Sequence, residues 1–169
     1  LTLTDTLHEA ILALVRIKPF MLLLLPFWLI RGVAHLKSKV AENSALDVAT
    51  LPYNVPFIDW LKEQKASGKK IVLCTAANER IAQAVYKHFD FFDGVIASDE
   101  YTNLKSKNKR DALQKKYGEH GYDYAGNSSA DIEVWAGASQ AIVVNANEKV
   151  LAEVSQVATV SETFPSESP

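Results

Sequence analysis

The sequence of 169 residues is poor in the features that mark several common protein classes. Its single cysteine, Cys74, excludes an internal disulfide framework and fits a reducing, cytoplasmic compartment. Its 18 basic and 20 acidic residues nearly cancel, so no global field favours a nucleic-acid partner. No Gly-x-Gly-x-x-Gly follows an apolar run, which disfavours a dinucleotide-binding protein.

Long hydrophobic runs are also missing. The stretch 20–30 is apolar throughout apart from Pro26, and it is shorter than the roughly 20 residues that a membrane-spanning helix needs. Extending it back to Ala10 brings in Arg16 and Lys18. A helical hairpin that is buried or lies on a membrane surface is therefore expected, rather than a membrane span.

The first 50 or so residues are predicted to be helical. Thr6 and Glu9 have the spacing of a capping box, and a helical stripe of apolar residues follows them. Pro19 stops or restarts this helix. A second helix, kinked or split at Pro26, then spans 20–30, and a third spans 32–41.

From about residue 50 the pattern changes to apolar runs that alternate with helical segments. An amphipathic helix is predicted from Pro56 to near Gly68. Short strands separated by helices indicate a parallel sheet covered on both faces, so the predicted fold class is α/β and Rossmann-like. The predicted strands are 71–74, 94–97, 122–125 and 141–145, and the predicted helices between them are 78–88, 107–117 and 131–138.

Small polar side chains follow these strands. Ligands bind beyond the carboxyl ends of parallel strands, so residues at these ends are expected to converge on one edge. Hydroxyl, amide, carboxylate and ammonium groups suit a phosphate and a hard cation such as Mg²⁺. The residues are Thr75, Ser98, Asp99, Asn127, Ser128, Ser129, Asp131 and Asn145, with Lys109 opening the next helix.

Each of these residues also has an ordinary structural explanation. Thr75 is typical of a turn or helix cap. Lys109 belongs to a basic run of the kind that usually forms a solvated face. Asn127 is typical of a helix start, and Asp131 favours the positive end of a helix. The order and spacing of the whole set point to function more than any single residue does.

Three segments resemble motifs of haloacid-dehalogenase-type phosphohydrolases. The run 72–75 is similar to the second motif, an apolar strand that ends in Thr or Ser. Lys109 is similar to the lysine of the third motif. Residues 126–131 are similar to the fourth motif, Gly-Asp-Ser-x-x-Asp, with Asn127 in place of the first Asp. The first motif, Asp-x-Asp-Gly-Thr, is absent. Residues 1–7 resemble the segment that usually comes directly after that motif, so the motif is expected upstream of Leu1.

A resemblance over nearly the whole chain points to the N-terminal domain of UbiA-type membrane prenyltransferase fusions. It rests on 5–9, 46–54 and 124–131. It implies a membrane prenyltransferase domain as a partner, after Pro169, and a position at the cytoplasmic face of the membrane.

The family resemblance implies a magnesium-dependent phosphatase that acts on a small phosphorylated substrate, such as a prenyl-linked or sugar phosphate. An upstream Asp would attack phosphorus, and a second Asp would act as acid and base. Thr75 and Lys109 would bind the phosphate, and Lys109 would offset its charge. Asn127 and Asp131 would serve the metal, with Asn127 weakening its binding.

The resemblance also implies a division of the chain. Residues 1–5 and 51–160 would form the core, 6–50 a helical cap, and 161–169 a linker or disordered tail. Asp5 is explained by helix capping and is not a nucleophile, so the chain without the first motif is expected to be inactive. Two alternatives stay open: a non-catalytic regulatory or scaffolding module, and a receiver-like protein, which the helical insert disfavours.

Overall fold

In a computed structural model of the protein, the structure describes residue 2 and residues 6–44, 47–98 and 104–165; for residues 6–8 and 17 it describes the backbone alone. The described residues form two compact units. One contains 54–60 and 105–165, and the other contains the described parts of 2–53 and 61–104. We call them the three-stranded unit and the two-stranded unit, after their sheets.

The helices and strands alternate from about residue 55 onward. The α-helices are α1 (Thr6–Ile17), α2 (Leu25–Ile30), α3 (Val33–Asn43), α4 (Val55–Ala66), α5 (Glu79–His88), α6 (Lys107–Tyr117), α7 (Ile132–Ala136) and α8 (Glu148–Val157). Short 3-10 helices occupy Pro19–Leu24, Val48–Thr50 and Ser129–Asp131. The strands are β1 (Val72–Asn78), β2 (Gly94–Ser98), β3 (Tyr124–Gly126), β4 (Ala141–Val144) and β5 (Val160–Phe164).

The two-stranded unit holds the N-terminal helices and a parallel pair of strands. β1 pairs with β2, with Val72 opposite Gly94 and Thr75 opposite Ala97. Ala10 of α1, Val40 of α3 and Ile81 of α5 form a buried apolar cluster within this unit. The helical segment thus packs by its apolar side chains against the helix that follows β1.

The three-stranded unit has the strand order β3-β4-β5, and both pairs are parallel. The central strand β4 is buried along its whole length, as expected for a parallel strand that is covered on both faces. Asn145 follows the end of β4 and has a left-handed backbone with φ of 54°. This conformation suits asparagine, and the Asn145 side chain accepts a 2.6 Å hydrogen bond from Asn54 Nδ2.

The predicted α/β class with parallel strands flanked by helices is confirmed. The prediction of a single sheet differs from the structure, in which the described strands hydrogen-bond as two separate sheets. The compact units also divide the chain differently from the predicted core and cap, and that division stays a prediction.

The prediction of a linker or disordered tail is wrong for residues 161–164. They belong to β5, where Val160 pairs with Ala141 and Phe164 with Val144. The Phe164 ring also lies 5.3 Å from that of Phe57, between centroids. Pairing and aromatic contacts therefore order a stretch whose Ser- and Glu-rich composition favoured disorder.

Within the described residues, no helix combines the length and apolar character needed to cross a bilayer. The Pro19 prediction is confirmed, since α1 ends at Ile17 and a 3-10 helix begins at the proline. The split at Pro26 is confirmed in substance, because the 3-10 helix changes to α2 at Leu25.

Candidate functional site

Lys109 lies in the first turn of α6, on the inner face of that helix. Its side chain is buried together with that of Leu113, one turn later. The next residue, Arg110, turns outward and pairs with Glu133 at 2.5 Å. The basic run that contains Lys109 is therefore only partly a solvated face, because the Lys109 side chain is buried.

Asp131 is fixed by the loop that follows β3. Ser128 and Asp131 form a capping box at the start of the 3-10 helix Ser129–Asp131. Asp131 Oδ2 accepts hydrogen bonds from the backbone N–H groups of Asn127 and Ser128 and from the Ser128 hydroxyl, each at 3.2 Å. The expectation of a helix start at this loop was correct, and the carboxylate belongs to that start.

Lys109, Tyr124 and Asp131 form a closed triangle of hydrogen bonds. Lys109 Nζ donates to Asp131 Oδ1 at 3.0 Å and to the Tyr124 hydroxyl at 2.6 Å. The Tyr124 hydroxyl donates to the same Oδ1 at 2.8 Å. All three side chains are buried, so their polar groups satisfy one another away from water.

The Asp131 carboxylate therefore receives five donors, two on Oδ1 and three on Oδ2. A carboxylate has about four lone-pair positions, so these five contacts use its whole capacity to accept hydrogen bonds. Lys109 uses two of its three N–H bonds within the described part of the chain. The ammonium, rather than the carboxylate, has a bond to offer to a ligand.

The electrostatics of the pair follow from burial and charge. Burial alone would raise the pKa of Asp131. The Lys109 charge and the hydrogen bonds from Lys109, Tyr124 and the backbone N–H of Asn127 outweigh this effect, so the pKa of Asp131 lies below its usual value. Asp131 is thus anionic at neutral pH and is the buried counter-ion of Lys109.

Asn127 has an exposed side chain, and its contact with Asp131 uses its backbone N–H. Among the described residues, no group of three His, Cys, Asp or Glu side chains is placed to hold one metal ion. The predicted metal roles of Asn127 and Asp131 therefore stay predictions.

Thr75 lies in the two-stranded unit, in β1, and its Oγ1 accepts a 3.0 Å hydrogen bond from the Ala77 N–H. This is the turn-stabilising role that threonine commonly has, and it leaves the hydroxyl proton to donate elsewhere. The structure gathers Lys109, Asn127 and Asp131 in one unit, and Thr75 belongs to the other.

Other predicted strand-end residues have structural partners. The buried Ser98 hydroxyl donates to the Ala76 carbonyl at 3.1 Å and accepts from the Leu104 N–H at 2.9 Å. Asn145 binds Asn54. Asp99 and Asp5 lie outside the described residues.

Sequence reasoning missed Tyr124. It was predicted to lie in a strand, but the alternation of apolar and polar residues along a strand does not show which aromatic side chains make a polar contact. The usable signal was chemical: a tyrosine in a buried strand needs a partner for its hydroxyl, and Asp131 follows seven residues later.

No family model matches the chain. It is 34% identical over 142 residues, 83% of its length, to the uncharacterized protein y4nM of Sinorhizobium fredii (strain NBRC 101917 / NGR234). That match takes up 27% of y4nM, so the chain spans about a quarter of the curated relative that it matches.

The structure resembles the crystal structure of a probable phosphoserine phosphatase from Vibrio cholerae in its unliganded form. The TM-score is 0.59 at 13% identity, over 90% of this chain and 57% of that one. This likeness concerns the fold, and it agrees with the predicted α/β architecture of parallel strands flanked by helices. The haloacid-dehalogenase resemblance beyond the fold stays a prediction. The prenyltransferase link stays a prediction.

Proposed function

We propose that the chain is the larger part of a magnesium-dependent phosphohydrolase domain of the haloacid dehalogenase type. The observation that carries the proposal is the buried Lys109–Asp131 ion pair after a strand of a parallel α/β unit. A buried carboxylate beside the lysine fixes the position of the ammonium group, and a positioned cation is what stabilises a transferring phosphoryl group.

In this proposal Asp131 acts through Lys109. Five hydrogen bonds hold the carboxylate, and the carboxylate in turn holds the ammonium, whose remaining N–H would donate to a phosphoryl oxygen. The Tyr124 hydroxyl hydrogen-bonds to both the ammonium and the carboxylate and helps to fix their positions. The nucleophilic aspartate would be supplied by sequence N-terminal to Leu1, and a prenyl-linked or sugar phosphate remains the proposed substrate.

The proposed dependence on magnesium is the part of the proposal that can be tested most directly. The described residues do not form a magnesium site on their own, because Asp131 is saturated by hydrogen bonds and Asn127 offers only an amide oxygen. The ion, when bound, would supply charge neutralisation at the phosphate. Its carboxylate ligands would have to come mainly from outside the described residues.

The experiment is a phosphatase assay on the protein with its native N-terminal sequence, with p-nitrophenyl phosphate and with and without Mg²⁺. We expect Mg²⁺-dependent release of phosphate that Lys109→Ala lowers by about a thousandfold, a loss of the size seen when one charge-stabilising group is removed. Lys107→Ala, an exposed lysine in the same helical turn, is the matched control and should keep full activity. Thr75→Val tests the predicted phosphate contact in the same assay.

Turnover that survives Lys109→Ala in a folded protein would remove Lys109 from the mechanism. A folded wild-type protein that releases no phosphate from p-nitrophenyl phosphate or from a panel of sugar and prenyl phosphates would overturn the proposal. Circular dichroism and thermal unfolding of each variant separate loss of chemistry from loss of fold.

A second candidate is a non-catalytic regulatory or scaffolding module. The substitution of Asn127 for the aspartate of the family motif and the saturation of Asp131 favour it, because both reduce the negative charge available to a cation. Asn127→Asp distinguishes the two. In an enzyme it should tighten Mg²⁺ binding and raise activity at low Mg²⁺, whereas in a module it should leave the protein inactive.

A further inference from the structure

The segment 19–31 of the two-stranded unit is apolar on two opposite sides. Its inner side, with Leu25 and Trp28, packs against the core cluster of Ala10, Val40 and Ile81. Its outer side is exposed, although nearly every residue there is hydrophobic. A helical segment that is apolar all round normally has both sides covered.

The outer side forms a continuous strip. Side chains spaced three or four residues apart share one face of a 3-10 or α-helix, and the exposed residues follow this spacing across the junction of the two helices. Phe20 is 84% exposed, Phe27 67% and Ile30 82%. We define the apolar strip as Phe20, Leu23, Leu24, Phe27 and Ile30.

The exposed apolar side chains of the protein are concentrated in the strip and directly around it. Within the described residues, twelve large hydrophobic side chains are exposed, and nine of them lie between Leu12 and Val33. Single exposed apolar residues are ordinary, but a cluster of this kind marks a surface that another molecule covers.

The charges beside the strip identify the kind of molecule. From Ala10 to Ala41 the sequence contains five basic residues and no acidic residue, although the whole chain has a net charge of −2. Three of the five, Arg16, Lys18 and Arg31, are exposed at the two ends of the strip. Exposed Phe, Leu and Ile side chains flanked by cations match the boundary between the acyl chains and the headgroups of an anionic bilayer.

We infer that the apolar strip docks on the surface of an anionic phospholipid bilayer, with Arg16, Lys18 and Arg31 against the lipid phosphates. This surface serves attachment and is independent of the proposed phosphatase chemistry. A second copy of the chain fits the strip less well, because a two-fold dimer through this face would bring the same cations together.

The test is co-sedimentation of the 169-residue chain with vesicles of phosphatidylcholine alone and of phosphatidylcholine and phosphatidylglycerol in equal parts. We expect sedimentation with the mixed vesicles, much weaker binding to phosphatidylcholine alone, and a loss of about fivefold in the partition coefficient for each cation removed. The charge variant is Arg16→Glu/Lys18→Glu/Arg31→Glu. Its control, Lys87→Glu/Lys115→Glu/Lys149→Glu, changes the net charge equally with exposed lysines elsewhere and should bind like the wild type.

The apolar contribution is tested separately. Phe20→Ser/Phe27→Ser should abolish sedimentation, whereas Val55→Ser/Val157→Ser, which alters exposed apolar residues outside the strip, should not. Because all four side chains are exposed, thermal unfolding should stay near that of the wild type. If one variant misfolds, the charge variants still decide the question.

Three outcomes would overturn the inference. The chain could stay in the supernatant with mixed vesicles. Both charge variants could lose binding equally, which would indicate an unspecific charge effect. Analytical ultracentrifugation without lipid could detect a dimer that Phe20→Ser/Phe27→Ser dissociates, in which case a second copy covers the strip.

Discussion

The buried ammonium group of Lys109 lies 3.0 Å from the buried carboxylate of Asp131 and joins the start of α6 to the loop that follows β3. The two residues are 22 positions apart in sequence. An ion pair in this setting does not by itself raise stability, because removing both groups from water costs about as much as their attraction returns. Its energetic importance appears when one partner is removed.

Lys109→Met keeps most of the side-chain volume and leaves Asp131 buried without its counter-ion. We expect the free energy of unfolding to fall by about 3–5 kcal/mol. Arg110→Met is the matched control: it breaks the more exposed pair with Glu133 and should cost about 1 kcal/mol or less. Urea denaturation of both variants measures the difference, and equal losses would show that breaking the buried pair costs no more than breaking the exposed one.

Acid should weaken the protein through Asp131. Because the pKa of its carboxyl is lower in the folded state, the group adds stability above the unfolded pKa of about 3.9, and this contribution is lost as the pH falls through the folded pKa. Asp131→Asn removes the contribution, so its free energy of unfolding should change less between neutral and acidic pH. Denaturation at a series of pH values checks this. Parallel curves for Asp131→Asn and the wild type would contradict the assignment.

Tyr124→Phe removes the hydroxyl that links both charged groups and leaves the ring packed edge-on against Trp135, at 6.1 Å between centroids. Since this hydroxyl bonds to two ions, we expect a loss of about 1.5–3 kcal/mol in the free energy of unfolding. Tyr122→Phe removes a hydroxyl that donates to the Val134 carbonyl and should cost about 1 kcal/mol. A Tyr124 effect no larger than the Tyr122 effect would argue against a cooperative triangle.

Gly126→Ala should disturb the site by crowding it. An added Cβ would lie 2.8 Å from Tyr124 Cε1, 2.9 Å from Trp135 Cζ2 and 3.0 Å from Asp131 Cβ. We expect a loss of about 1–3 kcal/mol from overpacking, measured by thermal or urea denaturation. At Gly94 an added Cβ meets nothing within 4 Å, so Gly94→Ala should stay within about 0.5 kcal/mol of the wild type. If both substitutions are neutral, the loop after β3 repacks easily.

The local pattern was sufficient to predict several elements. The boundaries predicted for α6 agree with the structure, and Lys109 was placed correctly at its start. β2 and β4 lie within one residue of their predicted ends because continuous apolar runs bounded by polar residues mark buried strands. The loop 126–131 was identified because its small polar residues follow such a run.

Long-range pairing could not be predicted from these patterns. The separation into two sheets depends on which strand edges meet, and a single strand carries no such information. α8 was missed, although Asn147 caps it by accepting from the Val150 N–H at 2.9 Å. Nor could the sequence show that five donors converge on Asp131, since two of them come from residues distant in the chain or in the preceding strand.

The capping box after β3 has a consequence for the chemical ageing of the protein. Asparagine followed by serine deamidates when the backbone nitrogen of the serine attacks the asparagine side chain, and 127–128 is such a pair. Here the Ser128 N–H is held by Asp131 Oδ2 at 3.2 Å, which restrains the attacking atom. We therefore expect the carboxylate that anchors Lys109 to slow the deamidation of Asn127 as well, and variants that lose this carboxylate should accumulate aspartate at position 127 during storage.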